Sequence, residues 1–248
     1  TPTVTPPPTT ISLRDSNVED SYLNRYEKTV NYATSWWMKI KLYDMRPVLK
    51  FKFEGNIPEG SQIIAATLYL RTMDYRDPPS PIRALTVEVY GLRRAWKVNE
   101  VSWINAENGV PWDEEGADAP FIDRDDTPTA TEIIDTTNRT YAFDVTALAQ
   151  RWASDPDLNF GLILIGRELS VEYRFYSTDW PVNRDDRPLV LVTFIPPPPT
   201  PTPTRTNTPS PTFTVTRTPT PSLTPTKTAT PTATPTTGTI RVLAWEDI

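Results

Sequence analysis

The 248-residue sequence has no cysteine, no histidine and only eight glycines. Without thiols there is no disulfide framework and no thiolate nucleophile. Without imidazole there is no Ser-His-Asp triad, and without either there is no Cys or His zinc site. The redox compartment therefore leaves no mark in cysteine usage. Also missing is any apolar run long enough to cross a bilayer, so no membrane-spanning segment is expected.

Positive charge is scarce as well. The formal net charge is −6. Residues 196–248 carry Arg205, Arg217, Lys227 and Arg241 against Glu246 and Asp247, two net positive charges, which leaves the rest of the chain at −8. An acidic body repels phosphate backbones and argues against a nucleic-acid partner.

Proline is what the sequence has in excess, 28 residues against a low glycine content. The prolines cluster in residues 1–10 and 196–237, and both stretches read as Thr/Pro-rich linkers. They offer almost nothing apolar to set against the entropy of ordering. Proline fixes φ and pushes the residue before it towards β/polyproline II, so extended polyproline-II linkers are expected. At about 3.1 Å per residue, some forty residues reach roughly 130 Å.

Threonine at nearly every second position resembles an O-glycosylated stalk, the alternative being an unmodified spacer. The O-glycosylation candidates are Thr200, Thr202, Thr204, Thr206, Thr208, Thr212, Thr218, Thr220, Thr224, Thr226, Thr230, Thr232 and Thr234. Phe213 and Val215 interrupt the tract with an alternating apolar pair, a candidate assembly contact. The opening Thr-Pro residues read as the inside of a linker, which implies a longer parent chain.

Between the linkers, residues 11–195 are enough for one domain. Period-2 alternation dominates there. Leu49, Phe51 and Phe53 point one way and Lys50 and Lys52 the other. Residues 65–70 and 85–90 repeat the half-buried pattern, whereas 160–165 and 189–194 are more apolar, as central strands are. One stretch is helical in pattern: Asp144 can cap 145–153, with Leu148 and Trp152 on one face. The expected fold is all-β, a jelly-roll-like antiparallel sandwich with one short helix.

The order of short motifs resembles the DNRLRE family, extracellular β-sandwich modules related to carbohydrate-binding modules. It runs from Asp20-x-Tyr22 and Asn31-Tyr32 through Arg46-x-x-Leu49-x-Phe51 and Ile57-Pro58-x-Gly60 to Trp96 and Glu100-Val101-Ser102-Trp103. It continues with Asp144-Val145-Thr146, Trp152, Asn159-Phe160-Gly161-Leu162, Phe175-Tyr176-Ser177 and Arg187-Pro188-Leu189. Two features depart from the family: Ala33 stands where glycine is usual, and Trp36-Trp37 where smaller or polar residues are typical. Residues 238–248 look like the first strand of a Cna-B-like or serine-aspartate-repeat B-type domain. Together these resemblances imply an extracellular, cell-surface setting and a sandwich able to dock polysaccharide.

Trp36, Trp37, Trp112 and Trp180 are candidates for carbohydrate binding through ring stacking, while Trp96, Trp103 and Trp152 are expected in the core. For the adjacent Trp36 and Trp37, period 2 sends one ring inward and one outward. The outward ring is either a sugar contact or a patch covered by another chain. Asp123, Asp125 and Asp126 form an oxygen-rich stretch able to hold a structural Ca2+, with a solvated acidic loop as the plainer reading. No other cofactor is expected. Carboxylate pairs such as Glu114 with Asp125 carry no catalytic signature, so the chain is not expected to be an enzyme. The expected function is a structural module of a glycosylated extracellular fibre, stalk or adhesin, with copies of itself or neighbouring modules as partners. The alternative is a carbohydrate-binding module.

Overall fold

The computed structural model describes residues 6–77, 84–168 and 170–198. The Thr/Pro tract from residue 199, its threonine candidates, Phe213, Val215 and the expected strand at 238–248 lie outside the described residues. So do residues 1–5.

In chain order the first strands are β1 (Thr9–Leu13), β2 (Val18–Asn24), β3 (Trp37–Ile40), β4 (Met45–Phe51), β5 (Gln62–Asp77) and β6 (Leu85–Gly91). A small hairpin of β7 (Asn105–Glu107) and β8 (Val110–Pro111) follows, then β9 (Ala130–Ile134) and β10 (Thr140–Asp144). The helix α1 (Thr146–Ser154) precedes β11 (Leu162–Arg167), β12 (Glu172–Tyr176) and β13 (Leu189–Ile195). One sheet runs β1-β13-β5-β12-β3 with β10 also on β5; the second runs β2-β4-β11-β6-β9. All these pairings are antiparallel, and nearly every connection crosses from one sheet to the other, as in a jelly roll. The sandwich is the expected fold.

Alternation builds the core between the sheets. Leu49 and Phe51 of β4 enter it with Leu68 and Leu70 of β5, Leu162 and Leu164 of β11, and Val190 and Val192 of β13. Each such side chain contributes about 1.5–3 kcal/mol of burial. The two apolar runs have different causes. In β11, Ile163 and Ile165 enter a second core on the far side of their sheet, so both faces are buried. In β13, Leu191 stays largely exposed on an open face.

Asp144 accepts the Thr146 N–H, and α1 begins at Thr146, one residue after the expected start, because Val145 keeps a non-helical ψ of 21°. Trp152 is buried edge-on against Phe53, with centroids 5.3 Å apart. Gln150 accepts the Ile63 N–H and donates to the Ser61 carbonyl, so the helix satisfies the β5 backbone near its bulge. Gly161, at φ +79°, passes so close to β4 that a Cβ would lie 2.2 Å from the Leu49 carbonyl oxygen.

The sandwich begins two residues before the expected boundary at 11. Thr9 and Thr10 belong to β1 and pair with Phe194 and Thr193. An edge strand needs only backbone partners, and β-branched threonine suits it as well as it suits a linker. Because Thr9 faces Phe194, the chain enters and leaves the sandwich side by side, at one end.

Candidate functional site

The two sheets present opposite outer surfaces. That of the five-stranded sheet is sealed by residues 92–129, which lay Trp96, Trp103 and Trp112 over Leu23, Val48, Ile163 and Ile165. Trp112 is therefore no surface ledge: it is 4% exposed, and its Nε1 donates to the Ser102 carbonyl at 3.0 Å. Trp96 and Trp103 are buried as expected.

Charge is buried here too. The Arg46 guanidinium lies 5.0 Å from the Trp103 ring centroid, donates to the Gly116 carbonyl and pairs with Asp118 at 3.1 Å. Asp118 also receives Arg124, which stacks on Tyr90 at 4.5 Å. Burial alone raises the Asp118 carboxyl, but the two guanidiniums outweigh it and hold it below the usual carboxylate range.

The expected calcium cluster does not form. Asp123 is buried and accepts the N–H groups of Asp113, Glu114 and Ala119. Asp125 is paired with Arg93 and Arg151 at 3.0 and 2.9 Å, and Asp126 faces solvent. With the first two carboxylates bound to donors of this chain, no three acidic side chains among the described residues are arranged around a cation.

The outer surface of the six-stranded sheet is open and aromatic. On β3, Met38 and Ile40 point inward while Trp37 and Lys39 point outward. Trp36 lies just before the strand and is 52% exposed, so neither ring of the Trp pair enters the core; Met38 takes the inward position. Arg174 on β12 places its guanidinium 5.1 Å from the Trp37 centroid and 3.4 Å from that of Tyr75 on β5. Its Nε donates to the buried Glu172 at 3.0 Å, so the charge between the rings is compensated. Tyr176 sits opposite Trp37 in register and packs on Trp180 at 4.9 Å, and Trp180 meets Trp36 edge-on at 6.2 Å.

A short turn carries Trp180. Ser177 donates its N–H to the Trp36 carbonyl and its hydroxyl to that of Ser35, and the Trp180 N–H returns to the Ser177 carbonyl. Beneath the turn lies Asp20 of β2, 2% exposed, accepting the Thr178 N–H at 2.8 Å. Among the described residues no cation pairs with it. Burial pushes its carboxyl up to about 7, against the pull of its Thr178 bonds and with help from the Asp179 charge.

Three of the four expected tryptophans thus share one surface, together with Tyr75, Arg174, Glu172 and Tyr176, which sequence reasoning missed. The alternation Glu172-Tyr173-Arg174-Phe175-Tyr176 was the available signal, since period 2 puts Arg174 and Tyr176 on one side.

A groove of about 530 Å3 lies elsewhere, along β2, β4 and the turn after α1. Glu19, Lys50, Lys52 and Asp157 line it with mixed charge, and Asp155 spends a carboxylate oxygen on the Asp157 N–H. No helix of the described residues is long and apolar enough to cross a membrane.

A family model described as the disaggregatase-related repeat domain matches residues 20–192, more than half of the chain. The matched stretch lies within the region that resembles the DNRLRE modules. No curated protein matches the chain.

Proposed function

The chain belongs to the disaggregatase-related repeat domain family, and from that premise we propose that it is a non-catalytic structural module of a secreted or cell-surface multidomain protein. In this reading the Thr/Pro-rich residues on either side are O-glycosylated stalk segments, and residues 238–248 open a further module. The carrying observation is the pairing of Thr9 with Phe194, which brings the start of β1 and the end of β13 together at one end of the sandwich. In this reading the open face of the six-stranded sheet and the far end of the sandwich are left to meet neighbouring modules.

Mass spectrometry of the native protein should find hexose on threonines between Thr200 and Thr234, and electron microscopy should show beads spaced along thin stalks. Bare threonines together with dispersed single molecules would refute the reading.

A second reading is favoured by the open aromatic surface: the sandwich also binds polysaccharide there. The exposed Trp36 and the half-buried Trp37, Tyr176 and Trp180 form one contiguous aromatic patch, the kind of surface that marks an interaction site. A glycan array probed with the whole chain should give selective binding that disappears in Trp36→Ala and Trp180→Ala at unchanged melting temperature. Uniform, variant-insensitive signal would leave the structural role alone.

A further inference from the structure

Asp20 is a carboxyl in an apolar place. By the period of β2 it shares the inward side with the core residues Val18 and Tyr22, and it lies opposite Leu49 of β4. The bonds it accepts all come from Thr178, just past β12 of the other sheet, whose N–H lies 2.8 Å away. An ionised carboxylate shut away from water needs more than the donors of one residue.

The charges around it give no relief. Glu19 points to the opposite side of β2, and Tyr22 is held neutral by burial. The turn supplies Asp179, of the same sign, and among the described residues no other charge acts on Asp20. Arg187, which donates to the Trp180 carbonyl, is paired with Asp15 at 3.0 Å and acts on Asp179, not on Asp20.

The turn itself has a fixed foot and a lighter tip. Ser177 is fully buried, bonded to the carbonyls of Ser35 and Trp36. Beyond it, Thr178 and Trp180 are half-buried and Asp179 is exposed. They are held by the Thr178 bonds to Asp20, by Asp179 and Trp180 N–H groups returning to Ser177, by Arg187, and by the packing of Trp180 on Tyr176 and Trp36. If Asp20 ionises, water can reach it by unfolding of the sandwich or by lifting of this turn. A turn opens at far lower cost than core strands.

We propose that Asp20 and the 177–180 turn form a proton-operated latch: the protonated carboxyl keeps the turn closed, and loss of the proton lifts Thr178 to Trp180 about Ser177, parting Trp180 from Trp36. The direction follows from burial. The closed turn pushes the carboxyl up to about 7, and the lifted turn returns it to its ordinary 3.8. Closure is therefore strongest below about pH 4 and weakens as pH rises towards 7. Whichever partner the open face meets, it presents one aromatic arrangement in acid and another at neutral pH.

Hydrogen exchange of the whole chain, followed by NMR between pH 5 and pH 8 and divided by the intrinsic rate at each pH, tests the latch. Protection of the Thr178 and Trp180 amides should fall about tenfold per pH unit up to about pH 7 and level off above it. The Leu68 and Val190 amides, in core strands, should keep theirs. In Asp20→Asn, which retains shape and acceptor without the charge, protection of the turn should not vary with pH. The Asp20 carboxyl carbon and the Thr178 amide of the wild type should also titrate with one midpoint. A parallel fall of turn and strand amides would overturn the latch, because Asp20 would then act on the whole fold. So would flat protection in the wild type, or a fall that persists in Asp20→Asn. Should that variant not fold, the wild-type titrations decide: a Thr178 amide that ignores the Asp20 midpoint overturns the proposal.

Discussion

The outer faces of the two sheets put the same residue type to opposite uses. On the five-stranded sheet, Trp96, Trp103 and Trp112 of residues 92–129 are buried against the strands, each indole N–H donating to an oxygen of this chain. On the six-stranded sheet, Trp36 stands in solvent and Trp37 is half-buried, both braced by other side chains and not covered by chain. Covering one face takes the 38 residues 92–129, and the sandwich spends them on one side only. A tryptophan is thus structural or available for binding according to whether chain passes over it, not according to its own chemistry.

The sharpest way to break this contrast is to remove one tryptophan from the sealed side. Trp112→Ala should destabilise the protein by about 3–5 kcal/mol, because it opens a cavity and orphans the Ser102 carbonyl. Urea unfolding measures it. A loss under about 1 kcal/mol would mean that the insertion is a loose cover and that the two faces do not differ in kind.

The next effect lies where the open face is anchored to the core. The Asp20 carboxyl has a folded-state value near 7 against an ordinary 3.8, so the folded protein holds its proton more tightly than the unfolded chain. The stability this adds is complete below about pH 4 and is lost as pH rises towards 7. From the size of the shift it amounts to at most roughly 4 kcal/mol. Carboxylates such as Asp118 and Asp144, held low, change in the opposite direction. The measurement is therefore the difference between wild type and Asp20→Asn: unfolding free energies should diverge between pH 4 and pH 7, wild type falling relative to the variant. Parallel curves would place Asp20 in a wetter setting than its burial implies.

Much of the scaffold was legible in sequence. The alternation of β4 identified Leu49, Phe51 and Phe53, all of which are buried, and the apolar run of 160–165 marked a strand with two buried faces. Strand β1 was not legible: Thr9 and Thr10 look like linker by composition, and only the exposed backbone edge of β13 makes them a strand. The site was legible in part. Trp36 and Trp180 could be picked out as candidates, but their meeting depends on the 177–180 turn hooking onto Ser35 and Trp36. The stacking of Arg174 on Tyr75 depends on strand register between residues about a hundred positions apart, which no local period encodes. Trp112 misled for the same reason in reverse, since nothing near it in sequence announces that it packs onto the back of a distant sheet.

A smaller effect tests the bracing. Arg174→Met removes a guanidinium between two rings and leaves the Glu172 carboxylate buried without its partner, a cost of about 1–2 kcal/mol. Trp37 should also gain exposure, seen as a red shift in its emission. Loss of stability without that shift would make Arg174 a partner of Glu172 alone.

The smallest effect is the most informative about the open face. Trp36→Ala should change unfolding free energy by no more than about 0.5 kcal/mol, because the ring is half in water and touches Trp180 only edge-on. Set against Trp112→Ala, the same truncation of the same side chain then differs several-fold in cost between the two faces, in the direction that coverage predicts. Were Trp36→Ala to cost as much as Trp112→Ala in dilute protein, Trp36 would have to be packed by contacts within the domain, and the open face would be a second sealed one. Were the cost to appear only at high protein concentration, the cover would be another copy of the chain, and the ring would serve assembly instead of sugar.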